Sequence, residues 1–292
     1  MKNQDTTPGG FPSAAEDAQR AASEASLNAS YRLAYTDQEF LLRDDLRAVR
    51  LQLEWLKPDL IQDECGINST VVIFGGARFP EPGIAKANFQ RAEQEYLASP
   101  EDKFLEKAYL RSKNIYQNSK YYDEARELAK QITERSLAHG GHDFVVVTGG
   151  GPGVMEAANR GAAEAGGKSI GLNIVLPFEQ KPNPYITPEL SFQFHYFALR
   201  KMHFLKRARA LVACPGGYGT LDELFETLTL IQTRKIKSVP VVLIGKTYWT
   251  NLINFDFLAE QGAIDQDDIH LFKIVDSAAE AWAYLTAAWQ LD

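Results

Sequence analysis

The residues of this chain that are best suited to chemistry are concentrated in a glycine-rich turn at 214–223. An apolar run at 210–214 precedes the turn and apolar residues at helical spacing follow it, which predicts a strand, a tight turn and a helix start. Glycines let a backbone approach a ligand closely, and a helix start offers unpaired N–H groups and a positive dipole end. The turn is therefore predicted to bind a phosphate group, with the hydroxyl of Thr220 as a further ligand or as a helix cap.

Two carboxylates, Asp222 and Glu223, follow the predicted phosphate site directly. Negative charge beside an anion does not help to bind it, so the pair indicates chemistry on a neighbouring sugar. A second interpretation stays open at this point. Thr220 and Glu223 also have the spacing of a capping box, in which the glutamate serves the helix start and nothing else.

Composition limits the classes of protein to which the chain can belong. Its 292 residues are 45% hydrophobic and 24% charged, which is ordinary for a globular protein of one or two domains. A formal net charge of −7 disfavours a general nucleic-acid or anionic-membrane binder. There is no run of membrane-span length, no signal-peptide core, no disulfide framework and no metal-ligand spacing of His and Cys. We therefore expect a cytoplasmic protein that binds neither a metal, nucleic acid nor a membrane.

Strand-like and helix-like segments alternate along the chain from residue 69 onward. This alternation is typical of a mostly parallel sheet with helices on both faces, so the predicted fold class is α/β with three layers. A second glycine loop at 149–153 also follows a predicted strand, so both glycine stretches are expected at the carboxyl edge of the sheet, where they can converge on one ligand. The predicted strands are 70–74, 143–147, 168–174, 190–194, 210–214, 239–244 and 272–275.

Two parts of the chain are predicted to be additions to this fold. Residues 1–30 are poor in large apolar groups and are expected to form a mobile tail. The next segment, 31–68, is predicted to be a helical extension whose amphipathic helix begins near residue 36 and ends near Pro58. The first crossover is far longer than a minimal one, so 84–118 is interpreted as a helical insertion within a single domain at 69–292. Further helices are predicted at 121–137, 195–208 and 248–261.

Two familiar nucleotide-binding motifs do not fit the chain. The loop at 149–153 lacks the third glycine of the dinucleotide fingerprint, and no acidic residue closes the next predicted strand. Residues 245–247 resemble the end of a P-loop, but Pro240 stands where its first glycine is required. Cys214 is expected to be a core residue rather than a nucleophile, because burial raises the pKa of a thiol.

Three features in matching order and spacing resemble the LOG family of nucleoside 5'-monophosphate phosphoribohydrolases. Residues 215–223 resemble the family signature P-G-G-x-G-T-x-x-E, and the loop at 149–153 with Met155 resembles its second motif. Arg200 and Lys201 match the family's Arg-Lys pair, and Arg200 stands 23 positions before Glu223, as the family pattern requires. The resemblance covers residues 69–290 and implies a Rossmann-like nucleotide-binding catalytic domain.

The resemblance also implies an activity: hydrolysis of the N-glycosidic bond of a purine nucleoside 5'-monophosphate to a free base and ribose 5-phosphate, with no cofactor. The transition state is oxocarbenium-like, so a carboxylate near the ribose helps. Glu223 is then the predicted catalytic group, holding a ribose hydroxyl or the attacking water, and Arg200 orients the phosphate-bearing sugar. The other predicted substrate ligands are Gly216, Gly217, Gly219 and Thr220 for the phosphate, Gly150, Gly151, Gly153 and Met155 near ribose and base, and Lys201, Asp222 and Arg78.

Departures from the short, plant-like members of the family bear on the substrate. Glu156 stands where those members carry a glycine, and residues 75–78 read Gly-Gly-Ala-Arg where they carry serines. The N-terminal helix and the insertion are extra, as in larger bacterial relatives that include general nucleotide nucleosidases. The expected substrate is therefore either a cytokinin riboside monophosphate or, equally, AMP or another common monophosphate. Family members form dimers or larger assemblies, with the helices that carry Arg200 and Glu223 close to the subunit interface, so a homodimer at least is expected.

A non-catalytic carrier or sensor is the alternative function. The molybdenum-cofactor carriers share this fold, and such a protein would bind a nucleotide or a pterin without turnover. The presence of both Arg200 and Glu223 favours an enzyme, because a binder needs only the glycine loops. The family has also been labelled lysine decarboxylase, but the chain has no His-Lys pair of the kind that would hold pyridoxal phosphate.

Overall fold

The computed structural model describes residues 12–22, 28–177 and 181–290, and a seven-stranded sheet lies at its centre. The strands are β1 (Thr70–Phe74), β2 (Val145–Thr148), β3 (Ser169–Ile174), β4 (Ser191–Phe194), β5 (Ala208–Ala213), β6 (Val241–Ile244) and β7 (Lys273–Val275). They lie in the order β4-β3-β2-β1-β5-β6-β7, and every neighbouring pair is parallel. The predicted α/β class is confirmed, and the described sheet is parallel throughout.

The described part of the chain contains twelve α-helices. They are α1 (Ala14–Ala22), α2 (Gln38–Leu41), α3 (Arg47–Glu64), α4 (Pro82–Ala98), α5 (Lys103–Asn118), α6 (Lys120–Ala138), α7 (Val154–Glu164), α8 (Phe197–Lys206), α9 (Tyr218–Gln232), α10 (Lys246–Leu252), α11 (Phe255–Glu260) and α12 (Ala278–Trp289). Helices α6, α7 and α12 contribute to the core on one face, and α8, α9 and α10 contribute to the core on the other. None of these described helices combines the length and the hydropathy that a membrane span requires.

The strands are buried on both faces, which explains why they read as continuous apolar runs. In β1, Val71 and Ile73 point into the core under α6 and α7, whereas Val72 and Phe74 point into the core under α8 and α9. All four side chains are at most 5% exposed. Local sequence was therefore a good guide to the strands.

The strand order creates a crevice at the centre of the sheet. The chain adds β2, β3 and β4 on one side of β1 and then returns to add β5, β6 and β7 on the other side. The connection after β1 includes α6 on one face, and the connection after β5 includes α9 on the opposite face. Ligands of open α/β sheets bind where two such loops separate, at the carboxyl ends of the central strands.

Two helix predictions were wrong in their boundaries. The helix expected between residue 36 and Pro58 is instead a short α2 followed, after a 3₁₀ turn, by α3, which continues through Pro58 to Glu64. Pro58 is buried, and this packing offsets the hydrogen bond lost with its missing N–H. The segment 248–261 is two helices, because Asn254 caps a new start by accepting a hydrogen bond from the N–H of Phe257.

The chain divides into two compact units, residues 1–56 and residues 57–292. In the first unit, the hydroxyl of Tyr35 donates a hydrogen bond to the carbonyl of Ala14 at 2.8 Å. Of the predicted mobile tail, residues 1–11 and 23–27 lie outside the described residues, and 14–22 form α1. The domain boundaries predicted after residues 30 and 68 stay predictions.

The segment interpreted as an insertion forms a helical hairpin of α4 and α5 within the second unit. Aromatic rings join the two helices: Phe89 lies 5.7 Å from both Tyr109 and Tyr116, measured between ring centres. Tyr96 stacks on Tyr109 at 5.1 Å. The hairpin therefore has a small apolar core of its own, which holds α5 in a defined position.

Candidate active site

A cavity of ≈ 1030 Å³ opens at the carboxyl edge of the sheet, where β1 and β5 end. The loop 75–79 after β1 and the turn 216–219 after β5 both line it, together with Gly149 from the loop after β2. The two glycine stretches predicted from the sequence therefore do meet. The polar side chains of the lining are Arg78, Arg111, Asn114, Asn118, Asn173, Arg200, Tyr218, Thr220, Glu223 and Tyr248.

The glycine turn is held in place by its neighbours on both sides. The N–H of Gly76 donates a hydrogen bond to the carbonyl of Pro215 at 2.9 Å, and the hydroxyl of Tyr248 donates to the carbonyl of Gly216. A Cβ at position 216 would lie 2.1 Å from Oγ1 of Thr220, so only glycine fits there. The turn can therefore present its backbone to a ligand in one fixed conformation.

Helix α9 begins at Tyr218 with Gly217 as its N-cap residue. Thr220 and Glu223 consequently lie inside the helix, and no side chain caps it. The interpretation of these residues as a capping box, and of Thr220 as the cap, was therefore wrong. Both side chains line the cavity and are 7% exposed. The first turn of α9 leaves N–H groups without helical partners, which is the anion-binding feature that the sequence predicted.

Arg200 and Glu223 meet at the wall of the cavity. Nη1 of Arg200 lies 3.6 Å from Oε1 of Glu223, and both side chains are largely buried. Burial raises the pKa of Glu223 to about 7, although the positive charge of Arg200 acts to lower it. Burial likewise lowers the pKa of Arg200, but a guanidinium stays protonated over the physiological range. A carboxyl group that titrates near neutral pH is suited to general acid–base chemistry.

Arg200 is positioned by more than its carboxylate partner. Its Nε donates a hydrogen bond to the carbonyl of Leu172 in β3 at 2.7 Å, and its guanidinium lies 5.0 Å from the ring centre of Phe204. A Cβ at Gly149 would approach Nη2 of Arg200 to 2.7 Å. The second glycine loop therefore leaves the space that this buried cation occupies.

Two glycines of the second loop have positive φ angles and let neighbouring segments pack closely against the loop. Gly150 and Gly153 have φ angles of +75° and +71°. A Cβ at Gly153 would lie 2.5 Å from the carbonyl oxygen of Gly76, and one at Gly150 would lie 2.3 Å from Oδ1 of Asn173. Neither glycine lines the cavity, and nor does Gly151. Their predicted contact with the substrate stays a prediction.

A buried polar network supports the second loop. Nδ2 of Asn183 donates to the carbonyls of Gly150 and Gly151 at 3.2 and 3.1 Å and to Oδ1 of Asn159 at 2.9 Å. The hydroxyl of Thr148 donates to the same oxygen at 2.7 Å. The sequence did not predict a role for Asn183, because a single asparagine in a proline-containing loop belongs to no motif with a defined spacing.

Asn183→Ala is expected to destabilise the protein by about 1–3 kcal/mol, because the buried carbonyl of Gly151 loses its donor, whereas the carbonyl of Gly150 keeps the backbone N–H of residue 183. Urea denaturation measures the change. Asn251→Ala is the control: its amide also bonds a backbone carbonyl, that of Thr247, but on an exposed helix face, and its effect should stay below about 1 kcal/mol. Equal effects of the two variants would contradict a structural role for Asn183.

The remaining predicted site residues separate into two groups. Arg78 and Met155 line the cavity. Lys201 and Asp222 do not; the ammonium of Lys201 lies 3.1 Å from the carboxylates of both Asp222 and Glu226, in a groove along α8 and α9. As substrate ligands they remain predictions. Glu156, the departure in the second motif, also lies outside the lining.

The lining also contains residues for which the sequence offered no signal. Arg111, Asn114 and Asn118 come from α5 of the hairpin, Asn173 comes from β3 and Tyr248 from α10. The hairpin is therefore part of the wall of the cavity.

Two further predictions concern metals and thiols. Within the ranges that the structure describes, no group of three or more His, Cys, Asp or Glu side chains is arranged to hold a metal ion. Cys214 is fully buried, and burial raises its pKa to about 12. This thiol is a core residue, as the sequence predicted.

Known proteins resemble this chain in sequence, and a solved structure aligns with 76% of it. A family described as "Possible lysine decarboxylase" matches residues 155–285, which include Arg200 and Glu223. The chain is 32% identical over 168 residues to a probable cytokinin riboside 5'-monophosphate phosphoribohydrolase of Oryza sativa subsp. japonica, covering 56% of this chain and 69% of the relative. It is also 32% identical over 165 residues to a cytokinin riboside 5'-monophosphate phosphoribohydrolase of Arabidopsis thaliana, covering 55% and 72%. A solved structure of the molybdenum cofactor carrier protein from Chlamydomonas reinhardtii shares 21% identity at a TM-score of 0.45, covering 76% of this chain and 99% of the carrier.

Proposed function

This chain belongs to the LOG family, and from that membership we propose that it hydrolyses the N-glycosidic bond of a purine nucleoside 5'-monophosphate, releasing the base and ribose 5-phosphate. The observation that carries the proposal is the buried pair of Arg200 and Glu223 beside the glycine turn in one cavity. AMP and cytokinin riboside 5'-monophosphates are the proposed substrates. The names of the plant relatives support the second of these.

The proposed position of the nucleotide follows from α9. The 5'-phosphate binds at the first turn, where free N–H groups and the positive end of the helix dipole attract an anion, and the hydroxyl of Thr220 adds a donor. Thr220 and Glu223 are three residues apart on the same helix, so their side chains are neighbours on one face. A phosphate at the first position therefore brings the ribose to the second.

The proposed chemistry needs a group that can take a proton beside the anomeric carbon. As the bond from ribose to base breaks, its electron pair leaves with the base and positive charge develops on the sugar. Glu223 in its ionised form stabilises that charge and accepts one proton of the attacking water, whose oxygen bonds to the anomeric carbon. Glu223 then returns this proton to solvent, and the departing base takes up one proton from solvent to become neutral. Arg200 keeps part of the Glu223 population ionised at neutral pH and contacts the sugar phosphate. The apolar side chains of Met155, Ile174 and Leu176 offer the cavity surface for a planar base.

The test is a chromatographic assay of purified protein with AMP, GMP, IMP, CMP, UMP and isopentenyladenosine monophosphate. Release of free adenine or isopentenyladenine, matched by ribose 5-phosphate, is the expected result. The ranking of the substrates separates cytokinin activation from general nucleotide breakdown. If nucleotides bind but no base appears, the hydrolase proposal fails and the alternative of a carrier or sensor replaces it.

We also propose that the protein is a homodimer joined through α8 and α9. Helix α8 exposes two large apolar side chains, Phe197 at 53% and Met202 at 52%, and α9 exposes Phe225 at 37%. Phe197→Asp is expected to shift the protein from dimer to monomer in analytical ultracentrifugation at micromolar concentration. The matched control is Phe104→Asp on α5, where the side chain is 78% exposed and the dimer should persist. A wild-type protein that sediments as a monomer would refute the proposal.

A further inference from the structure

A second cavity, of ≈ 420 Å³, adjoins the proposed active site at the hairpin of α4 and α5. Arg78, Arg111 and Ile115 line both this cavity and the larger one. Arg91 lines only the smaller cavity. A ligand in the larger cavity can therefore contact Arg78 and Arg111, which also border the smaller one.

The smaller cavity carries an excess of positive charge. Its lining holds three arginines and a single carboxylate, Glu95. In the described ranges, Arg78, Arg91 and Arg111 form no ion pair, and Arg91 donates instead to the neutral Oδ1 of Asn88 at 3.1 Å. The chain as a whole has a net charge of −7, so three unpaired guanidinium groups in one place are not a by-product of a basic surface. Guanidinium groups match the oxygens of a phosphate in both charge and geometry.

The size of the larger cavity leaves room for more than a nucleoside monophosphate. At ≈ 1030 Å³ it stands at the upper end of the range of about 300–1,000 Å³ that is typical of small-molecule sites. The glycine turn accounts for one phosphate through backbone N–H groups and Thr220. The arginines of the hairpin then have no assigned ligand.

We propose that Arg78, Arg91 and Arg111 form a subsite for a second phosphate group, carried by a nucleotide whose first phosphate binds at the glycine turn. This inference rests on the proposed function only in that the ligand is a nucleotide. It assigns the hairpin a role in recognition: α5 selects nucleotides with two phosphates over those with one.

The test compares ligand affinities by isothermal titration calorimetry in the Glu223→Gln background, in which ligand is not consumed. The probes are AMP, ADP, adenosine 3',5'-bisphosphate, and pyrophosphate added to the AMP complex. We expect at least one doubly phosphorylated nucleotide to bind about tenfold or more tightly than AMP, and Arg111→Gln to abolish that advantage with little change in AMP affinity. Lys107→Gln removes one positive charge from the same helix outside both cavities, so this control should preserve the advantage.

Each outcome decides the proposal. A preference for ADP or the bisphosphate that Arg111→Gln removes supports the proposal, and a preference that the variant leaves intact overturns it. Pyrophosphate binding to the AMP complex without such a preference also overturns it, because the subsite then takes a separate phosphate ligand and not a second phosphate of the nucleotide. Equal affinity for all nucleotides, with no pyrophosphate binding, overturns the proposal, as does an equal loss of AMP affinity in Arg111→Gln. Because binding is measured here and turnover of AMP is measured separately, the subsite and the hydrolase proposals can fail independently.

Discussion

Glu223→Gln is expected to lower kcat for the release of adenine from AMP by on the order of 10³-fold. Glutamine has the shape of the glutamate and can place its side-chain oxygen at the same distance from Arg200, but it can neither take a proton from water nor balance positive charge on the ribose. Nucleotide binding should persist, because the proposed phosphate site is the glycine turn and the first turn of α9. Steady-state kinetics with chromatographic detection measure kcat, and calorimetry measures binding.

Asp222→Asn is the matched control for this prediction. It makes the same chemical change at the next residue, but Asp222 is paired with Lys201 outside the cavity. Activity should stay within about threefold of wild type, since exposed ion pairs contribute little. The reverse pattern, with Asp222→Asn inactive and Glu223→Gln active, would show that the catalytic carboxylate has been assigned to the wrong residue.

The free energy of unfolding of the unliganded protein is expected to fall as pH rises, because Glu223 is buried. The pKa of this carboxyl is about 7 in the folded state, above its ordinary value of 4.5. Below pH 4 both the folded and the unfolded state hold the proton, so burial adds no pH-dependent cost. As pH rises towards 7 the unfolded state ionises first, which lowers the free energy of unfolding, and above pH 7 the loss is complete. At 1.36 kcal/mol per pKa unit, the whole loss is about 3 kcal/mol.

The Glu223→Gln variant has no ionisable group at this position, so its free energy of unfolding should not fall for this reason. Between pH 5 and pH 8, its free energy of unfolding is expected to rise by about 2–3 kcal/mol relative to that of wild type, as measured by urea denaturation without nucleotide. Glu226→Gln, on the same helix but paired with Lys201 outside the cavity, should show no comparable gain. If wild type and Glu223→Gln instead change in parallel with pH, Glu223 does not titrate near neutrality and its proposed role as a base at that pH loses its physical support.

Both predictions test the burial of Glu223, which is expected to support activity and to lower stability at neutral and higher pH. Burial brings the carboxyl group to a pKa at which it can exchange protons near neutral pH, and the same burial destabilises the fold when the group ionises. Replacement by glutamine should therefore remove activity while increasing stability at pH 8. A substitution that only damaged the fold would lower both.

The order of strand-like, helix-like and glycine-rich segments was enough to predict the class of fold and two of the segments that line the cavity. Strands such as β1 are buried on both faces and read as continuous apolar runs, so local composition was enough to find them. Glycine stretches follow both β2 and β5, and parallel strands end at one edge of a sheet. The sequence therefore also predicted that the two glycine stretches lie close together. The order of the strands and the crevice between β1 and β5 required the structure, since several parallel orders fit the same alternation.

Tertiary packing selects which of several neighbouring side chains face the cavity, and the sequence carried no signal for this choice. Arg200 and Glu223 point into it, whereas Lys201 and Asp222, one residue away from them, pair with each other outside. Consecutive residues of a helix are rotated by about 100°, so this choice depends on where each helix begins and how it packs. The sequence suggested that α9 could begin at Thr220, but it begins at Tyr218. The role of Arg111 was equally inaccessible, because its place in the cavity wall depends on packing within a hairpin that is distant from the glycine motifs along the chain.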